Sequence, residues 1–269
     1  MPGLAKTSNF QFTTASVLIA PQASQLTLNA AAHSIGLVKN LNVTTDTGFV
    51  NLGQGVQNQI VASMVNKFDV KCSTEVYEYT SRNLAYGLGL DGTSAVTYVP
   101  IAADFPLAAA VAAAATTATV TTDVHTTFPV NQWGYLQEGT DDTVHVFKTN
   151  AAATYSSSTS ISFTGYPVPT GMSFDTTAGV IGAFNKVDAN PLLANQYFSV
   201  RIIGVTSDSS QRPVIIHFPK AKITKGFAMA FESNNFANLP FEFMPLVPSP
   251  SDPGYTADFN QIMSVLTPN

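Results

Sequence analysis

Alternation of apolar and polar residues marks one strand in the segment 67–76. Successive side chains of a strand point to opposite faces of a sheet, so a period of two separates a buried face from an exposed one. The pattern therefore predicts a half-buried antiparallel strand. Its apolar face would carry Phe68, Val70, Cys72 and Val76, and its polar face Lys67, Asp69, Lys71 and Glu75.

Two segments before this strand, 35–45 and 57–65, are rich in Val, Ile and Leu and are also predicted to be strands. The residues at 46–48 and 53–55 include Gly and have the chemistry of turns or loops. Together these segments favour a long hairpin or meander.

One short helix has both a start and a stop signal. Thr80 carries a hydroxyl that can cap a first turn, and Leu84 and Leu88 share one helical face. Gly87 follows as a favoured terminating residue. The sequence therefore predicts a helix over residues 80–87.

The composition changes after Pro100 to a stretch of Ala and Thr, and we place a domain boundary there. Residues 1–105 with 190–269 are predicted to form one discontinuous core domain, and residues 106–189 a small all-β insert. Alanine favours helix and the following threonines favour strand, so segment 108–115 stays open between the two. The strands predicted in the insert are 117–122, 133–137, 143–149 and 160–164.

Strands resume near residue 196 and are predicted to complete the sheet that begins before residue 100. The Pro- and Ser-rich stretch 248–254 has the composition of an extended linker. It leads into an amphipathic segment, 255–266, that is predicted to form an arm onto a neighbouring molecule. The late strands are predicted at 196–205, 213–218, 226–231 and 239–247.

Charged residues are scarce in this chain. Asp, Glu, Lys and Arg make up 11% of its 269 residues, against roughly 25% in ordinary soluble domains. Large obligate interfaces are poor in charge, so the composition favours a subunit whose surface is covered by other protein. With 12 basic and 17 acidic residues and a formal charge of −5, the chain lacks a basic footprint for gripping nucleic acid.

Cys72 is the only cysteine, which excludes an intrachain disulfide and favours synthesis in a reducing cytosol. The apolar run 17–20 ends at Pro21, so no secretory signal is predicted. The longest apolar run, 107–115, is far shorter than the ~20 residues of a membrane-spanning helix. No membrane segment is therefore expected.

Few residues have the spacing of a catalytic or metal site. Residues 87–92 match the dinucleotide pattern GxGxxG, but they follow a predicted helix instead of a strand and are interpreted as a helix end and turn. The four histidines lie outside any metal-ligand spacing and are interpreted as structural. A cation site at Glu138, Asp141 and Asp142 is less favoured than a solvated turn. We expect a protein that is not an enzyme and that uses no cofactor or metal.

These segments together resemble a bacteriophage tail tube, or major tail, protein. The resemblance covers about residues 10–100 and 195–248 and leaves the insert outside it. It rests on the block 56–78, on the helical segment 80–89, and on the late segments 218–223 and 239–246.

The resemblance implies an all-β fold, a β-sandwich or barrel with one short flanking helix. It also implies hexameric rings of identical subunits that stack into a tube and conduct DNA. A tape measure protein, a tail terminator and baseplate or tip proteins would be the partners. DNA would pass transiently without specific binding. The protein would reside in the phage tail of the virion after synthesis in the host cytoplasm, with the insert projecting outwards.

Two groups of residues are predicted to act in such a tube. The long hairpin would reach the next ring through its uncharged, Gly-rich end, and acids would line a lumen through which DNA slides. Six copies at −5 each would give a ring a charge of −30, the sign that favours passage. The predicted inter-ring contacts are Gly53, Gln54, Gly55 and Gln57, and the predicted lumen-facing acids are Asp46, Glu75, Glu78 and Glu232.

Two alternatives come from other classes of protein. A carbohydrate-binding phage adhesin or a capsid decoration protein would use the same short strands and aromatic residues. Trp133 and Tyr135 alternate on one predicted strand, an arrangement suited to stacking on sugar, although an aromatic core of a small β domain is favoured. A hydrolase would require an acid–base constellation that the sequence does not display.

Overall fold

A computed structural model describes residues 11–54, 59–91, 104–139, 143–189, 194, 196–206, 212–228 and 238–268 of the chain. The two α-helices are α1 (Ala30–His33) and α2 (Ser81–Gly87), and two short 3-10 helices are Gln22–Ser24 and Ala257–Phe259. The strands are β1 (Gln11–Pro21), β2 (Val38–Gln54), β3 (Gln59–Val76), β4 (Phe105–Pro106), β5 (Thr117–Val120), β6 (Trp133–Glu138), β7 (Val144–Lys148), β8 (Thr154–Tyr155), β9 (Thr159–Ser162), β10 (Gly179–Phe184), β11 (Phe198–Thr206), β12 (Pro213–Lys225), β13 (Leu239–Pro245) and β14 (Ser264–Leu266).

The chain divides into two compact units. Unit 1 consists of Met1–Ala95 and Val187–Asn269, and unit 2 consists of Val96–Lys186. Both are built from antiparallel strands, so the predicted all-β class is confirmed. Unit 2 begins before the boundary predicted at 106, because Phe105 pairs with Ile181 of β10.

Unit 1 is one antiparallel sheet with the strand order β1-β11-β12-β13-β3-β2. The short strand β14 pairs with β12 on the edge opposite to β11. The two ends of this sheet meet where Leu18 of β1 bridges to Ser34, just before β2. There the Ile35 N–H donates to the Val17 carbonyl at 3.1 Å. The sheet therefore curls around one apolar core, whose members include Val17, Ile19, Val70, Tyr86, Phe198, Phe218, Phe241 and Phe243.

Strand β1 was not predicted from the sequence. Its run of Val17, Leu18, Ile19 and Ala20 is completely buried, because alternate residues pack on opposite sides of the strand. Such a run lacks the period of two that marks a half-buried strand, and periodicity alone does not separate it from a buried helix.

The predicted hairpin is confirmed, and its strands are longer than expected. The prediction of a turn at 46–48 is wrong, since β2 runs without a break through these residues to Gln54. Gly48 instead lies at a register shift, where Gly48 pairs with Lys67 and Phe49 pairs with Val65. A bulge of this kind bends and twists a strand without ending it.

The predicted helix is confirmed as α2. Thr80 is its N-cap, and its hydroxyl accepts a hydrogen bond of 3.1 Å from the Asn83 N–H. Arg82 donates to the backbone carbonyls of Ala32 and Ser34, which ties α2 to α1, a single turn that was not predicted. The helix ends at Gly87, and Leu88 and Gly89 form a turn, in agreement with the interpretation of this segment as a helix end and turn.

Unit 2 contains a four-stranded sheet, β4-β10-β6-β7, and a three-stranded sheet, β5-β9-β8. The four strands predicted here are confirmed with small changes at their ends, whereas β4, β8 and β10 were missed. The Ala-rich segment is neither helix nor regular strand; Val111 forms an isolated bridge to Phe174. The core of the unit contains Leu107, Phe128, Leu136, Phe147, Ile161, Phe163, Phe174 and Ile181.

The late strands β11, β12 and β13 confirm three of the four predictions. Residues 226–228 are not in a strand, and the rest of the segment predicted at 226–231 lies outside the described residues. The tail is not an arm onto a neighbour, because it folds back on its own sheet. There β14 pairs with β12, and Lys220 forms an ion pair with Asp252 at 2.8 Å.

Candidate assembly surface

The outer part of the β2–β3 hairpin extends beyond the sheet that carries it. Strand β13 pairs with β3 only as far as Cys72, so among the described residues the remainder of the hairpin has two strands. We call residues 47–54 and 59–68 the arm. At about 3.4 Å per residue in an antiparallel strand, the arm is about 24 Å long.

The arm exposes large apolar side chains on both of its faces. Phe49 pairs with Val65 on one face, and Val50 pairs with Met64 on the other. Met64 is 74% exposed and Leu52 is 64% exposed. An isolated two-stranded hairpin is only marginally stable in water, so a partner surface would stabilise the arm. Its exposed large apolar residues are Phe49, Val50, Leu52, Ile60, Val61, Met64, Val65 and Phe68.

Charge on the arm is confined to its base. Lys67 is the only Asp, Glu, Lys or Arg in the sequence from residue 47 to residue 68. Its ammonium contacts the carboxylate of Asp69, and the hydrogen bond from this ammonium to Asp69 raises the pKa of Lys67. Beyond this pair the described part of the arm offers neutral surface, with one side-chain hydrogen bond of 2.7 Å from Ser63 to Asn51.

Hydrogen bonds to the Glu75 carboxylate stabilise the base of the hairpin, the part of it that also pairs with β13. The Asn40 amide donates to Glu75 Oε1 at 2.9 Å, and the Tyr77 hydroxyl and the Asn238 amide donate to Oε2 at 3.0 and 2.9 Å. These donors stabilise the carboxylate, and the bond from Asn40 is the largest cause of the lowered pKa of Glu75. The Lys39 ammonium lies 5.0 Å from the centre of the Tyr77 ring.

Glu78 holds the turn that leads into β2. Its Oε1 accepts a hydrogen bond of 3.0 Å from the Leu37 N–H. The carboxyl group lies against Gly36, where a Cβ would overlap it. Gly36 also has φ = 84°, a conformation that glycine adopts without strain. Glu75 and Glu78 therefore both have structural partners within unit 1.

The predicted inter-ring residues fall at the end of the arm. Gly53 and Gln54 are exposed at the end of β2, and Gly55 and Gln57 lie outside the described residues. Contact with another ring stays a prediction for all of them.

The predicted lumen-facing acids are not gathered at one place by any mutual contact. Asp46 is exposed on β2 and pairs in register with Asp69. Glu75 and Glu78 lie at the hairpin base, as described, and Glu232 lies outside the described residues. Their position in a lumen stays a prediction.

The histidines have local partners or are buried. His33 accepts from the Asn29 N–H at 3.2 Å, and His145 Nε2 lies 2.9 Å from the Tyr166 carbonyl. His125 bonds Asp123, which lowers the pKa of Asp123. Among the described residues, no three His, Cys, Asp or Glu side chains are grouped to hold a metal ion.

The remaining candidate positions have ordinary surroundings. Burial raises the pKa of the Cys72 thiol to about 12, so the nucleophilic thiolate is disfavoured. Glu138 accepts a hydrogen bond of 2.9 Å from the Asp175 N–H, and Asp141 and Asp142 lie outside the described residues. No helix in the described part of the chain has the length and apolarity needed to cross a membrane.

Comparison with known proteins gives no family for this chain. The sequence matches no protein-family model and no curated protein.

A second surface lies on unit 2, and here the interpretation of Trp133 and Tyr135 as core residues is wrong. The neighbouring Gly134 and Leu136 point into the core, so Trp133 and Tyr135 lie on the opposite, solvent-facing side of β6. Phe184 of β10 lies beside them and is 38% exposed. Phe184 was not predicted to lie at a functional surface, because β10 was not predicted from the sequence.

Proposed function

We propose that this chain is a structural subunit of a bacteriophage tail tube, which assembles into stacked hexameric rings whose lumen conducts DNA. The exposed apolar arm is the observation that carries the proposal. Supporting features are the curled antiparallel sheet with the flanking helix α2 and the low proportion of charged residues.

The arm supports assembly because a free surface of this kind is costly. Burying a Val, Leu, Ile, Phe or Met side chain contributes about 1.5–3 kcal/mol, and the arm exposes eight such side chains. Large exposed apolar patches mark interaction sites in soluble proteins. Because both faces of the arm are apolar, a neighbouring subunit would have to enclose it instead of covering one side.

The strands of the arm also present backbone groups. Among the described residues, β2 pairs only with β3 along the arm, which leaves its outer edge open to a further strand. Addition of a strand from another copy would satisfy these N–H and C=O groups and extend the sheet between subunits. In the proposed tube, this contact joins one ring to the next.

Electron microscopy of the purified full-length protein tests the proposal. Rings or tubes are expected, with sixfold symmetry in top views. A protein that stays monomeric at every concentration and salt condition would contradict it.

A matched pair of variants tests the role of the arm. V50E places a carboxylate at a position 56% exposed on the arm, and V130E does so at a position 52% exposed in unit 2. V50E should abolish tubes, because an interface would bury its charge without a partner, while V130E should assemble. Both should keep the circular dichroism spectrum of the parent. Equal assembly by the two variants would exclude the arm from the contact.

A further inference from the structure

Aromatic side chains cover the solvent-facing side of the four-stranded sheet in unit 2. We call this surface the aromatic face, and it consists of Trp133, Tyr135, Val146, Tyr166 and Phe184. On adjacent strands, Trp133 pairs with Phe184 and Tyr135 pairs with Val146. Tyr166 and Phe184 are both 38% exposed, and Val146 is 45% exposed.

The ring of Tyr135 lies flat across the sheet. It covers Gly182 on the neighbouring strand so closely that a Cβ there would overlap the ring. The Tyr135 hydroxyl donates a hydrogen bond to Asp104, which fixes the ring at its far end. Burial is the largest cause and this hydrogen bond the second of the rise in the pKa of Tyr135 to about 12. One side of the ring therefore rests on backbone.

The other aromatic residues support this ring and each other. The Phe184 ring lies 4.6 Å from Tyr135 between centroids, at an angle of 38°. Trp133 meets the edge of Tyr166 at 5.5 Å, and the Lys186 ammonium lies 5.7 Å from the centre of the Trp133 ring. These contacts hold the rings in place before any ligand arrives, which lowers the entropic cost of binding.

The size of the aromatic face limits what it can bind. Strands β10, β6 and β7 have at most six residues each, so their shared face measures about 20 Å by 14 Å, or about 300 Å². A stable protein partner buries roughly 800 Å² on each side. The face is thus too small for a specific protein interface by itself, but it matches a short chain of sugar rings.

We propose that the aromatic face binds a neutral oligosaccharide, with the apolar side of one pyranose ring stacked on Phe184, the more exposed ring of the Tyr135–Phe184 pair. A pyranose has C–H groups on its flat sides and hydroxyls at its rim, which fits rings bordered by polar side chains. The Asp104 carboxylate, at this border, is suited to accept hydrogen bonds from such hydroxyls. This inference concerns unit 2 alone and stands whether or not the arm drives assembly.

Intrinsic fluorescence tests the inference, because Trp133 is the only tryptophan of the chain. The full-length protein would be titrated with cellotriose, maltotriose and chitotriose. At least one should change the Trp133 emission in a saturable way. Y135A and F184A should each weaken that binding about tenfold, the effect of losing one ring-stacking contact.

Two further variants distinguish a change in the orientation of the Tyr135 ring from a general destabilisation of unit 2. G182A should tilt Tyr135 and weaken binding without unfolding the protein, since the three atoms nearest to the new methyl group all belong to Tyr135. Y155A is the matched control, because Tyr155 is 46% exposed on the other sheet of unit 2. Its affinity should equal that of the parent.

Three results would overturn the inference. The first is the absence of any change in emission with all three sugars at millimolar concentration. The second is an equal loss of affinity in Y155A and Y135A. The third is Trp133 emission that varies with protein concentration and not with sugar, which would assign the face to contacts between copies of the chain.

Discussion

The imidazole of His217 meets the ring of Phe259 edge to face, with 4.7 Å between the ring centroids and an angle of 69°. His217 is 1% exposed on β12, and neither of its ring nitrogens has a hydrogen-bond partner among the described residues. Burial, with a smaller contribution from the Arg201 charge, lowers the pKa of His217 to about 4. The C-terminal tail therefore covers a histidine that must stay neutral.

Stability should fall as the pH decreases from about 6.5 to about 4. In this window the unfolded chain, with an ordinary histidine pKa near 6.5, binds a proton that folded His217 does not take up. The contribution of neutral His217 is fully present above pH 6.5, and its loss amounts to about 3 kcal/mol at the low end. Urea unfolding at a series of pH values measures this loss.

The variant H217Q is the control for the pH effect, because glutamine stays neutral throughout. Its unfolding midpoint should vary less with pH between 6.5 and 4 than that of the parent. The Lys220 ammonium lowers the pKa of Asp252, so the stabilisation from this pair is lost only below the ordinary pKa of an aspartate. An identical pH profile for parent and H217Q would contradict the role of His217.

The bulge near the start of β2 should depend on Asn40. This residue has φ = 51°, and the register of β2 shifts between Lys39 and Asn42. Left-handed backbone costs an ordinary residue about 1–2 kcal/mol, which glycine does not incur. N40A should therefore be destabilised by about this amount, and N40G by less, although both lose the bond to Glu75. Thermal unfolding of the two variants measures this difference. An N40A variant that is more stable than N40G would contradict the prediction.

Local signals in the sequence were sufficient where one element determines its own structure. The cap at Thr80 predicted α2, and the alternation from Val70 to Val76 predicted the buried face of β3. Phe68 continues the same alternation but is 47% exposed, because the sheet ends before the strand does. Where a neighbouring strand stops depends on distant sequence, and no local pattern reports it.

The same reason explains the error at Trp133 and Tyr135. Alternation showed correctly that both side chains share one face of a strand, but not which face the core occupies. Phe147 and Leu136 pack on the inner face, and their contacts with residues far along the chain determine which face is buried. The identity of a binding face is therefore a tertiary property.

Unit 1 should fold without unit 2. All buried residues of the apolar core that the curled sheet surrounds belong to unit 1, and none comes from unit 2. Replacement of residues 104–186 by a short Gly/Ser linker removes Phe105 and Leu107, which pack in the unit 2 core and would otherwise be left exposed. The shortened chain should give a cooperative unfolding transition and, if the proposed function holds, still form tubes. An unfolded product would show that unit 1 needs unit 2.

The last prediction concerns DNA, which a tube should conduct without binding. Several of the 12 basic residues are occupied within the fold: Lys67, Lys220 and Lys225 are ion-paired, and Arg82 and Arg201 donate to backbone carbonyls. Fluorescence anisotropy with a labelled duplex should show negligible affinity at ~150 mM salt, where non-specific binders reach roughly 10⁻⁴–10⁻⁶ M. Micromolar binding that weakens steeply with salt would contradict this prediction.

A charge reversal at an exposed position of the hairpin distinguishes two cases. Either this position lines a lumen whose wall does not bind DNA, or DNA does not contact this position at all. Glu75 and Glu78 are unsuitable positions, since lysine there would break the contacts that fasten the hairpin base. Asp46 is exposed and faces Asp69 in register, so D46K should leave the fold intact and relieve repulsion between the two acids. If Asp46 lines the lumen, tubes of D46K should bind the duplex in a salt-dependent way. D46K tubes without affinity for DNA would place Asp46 outside the lumen.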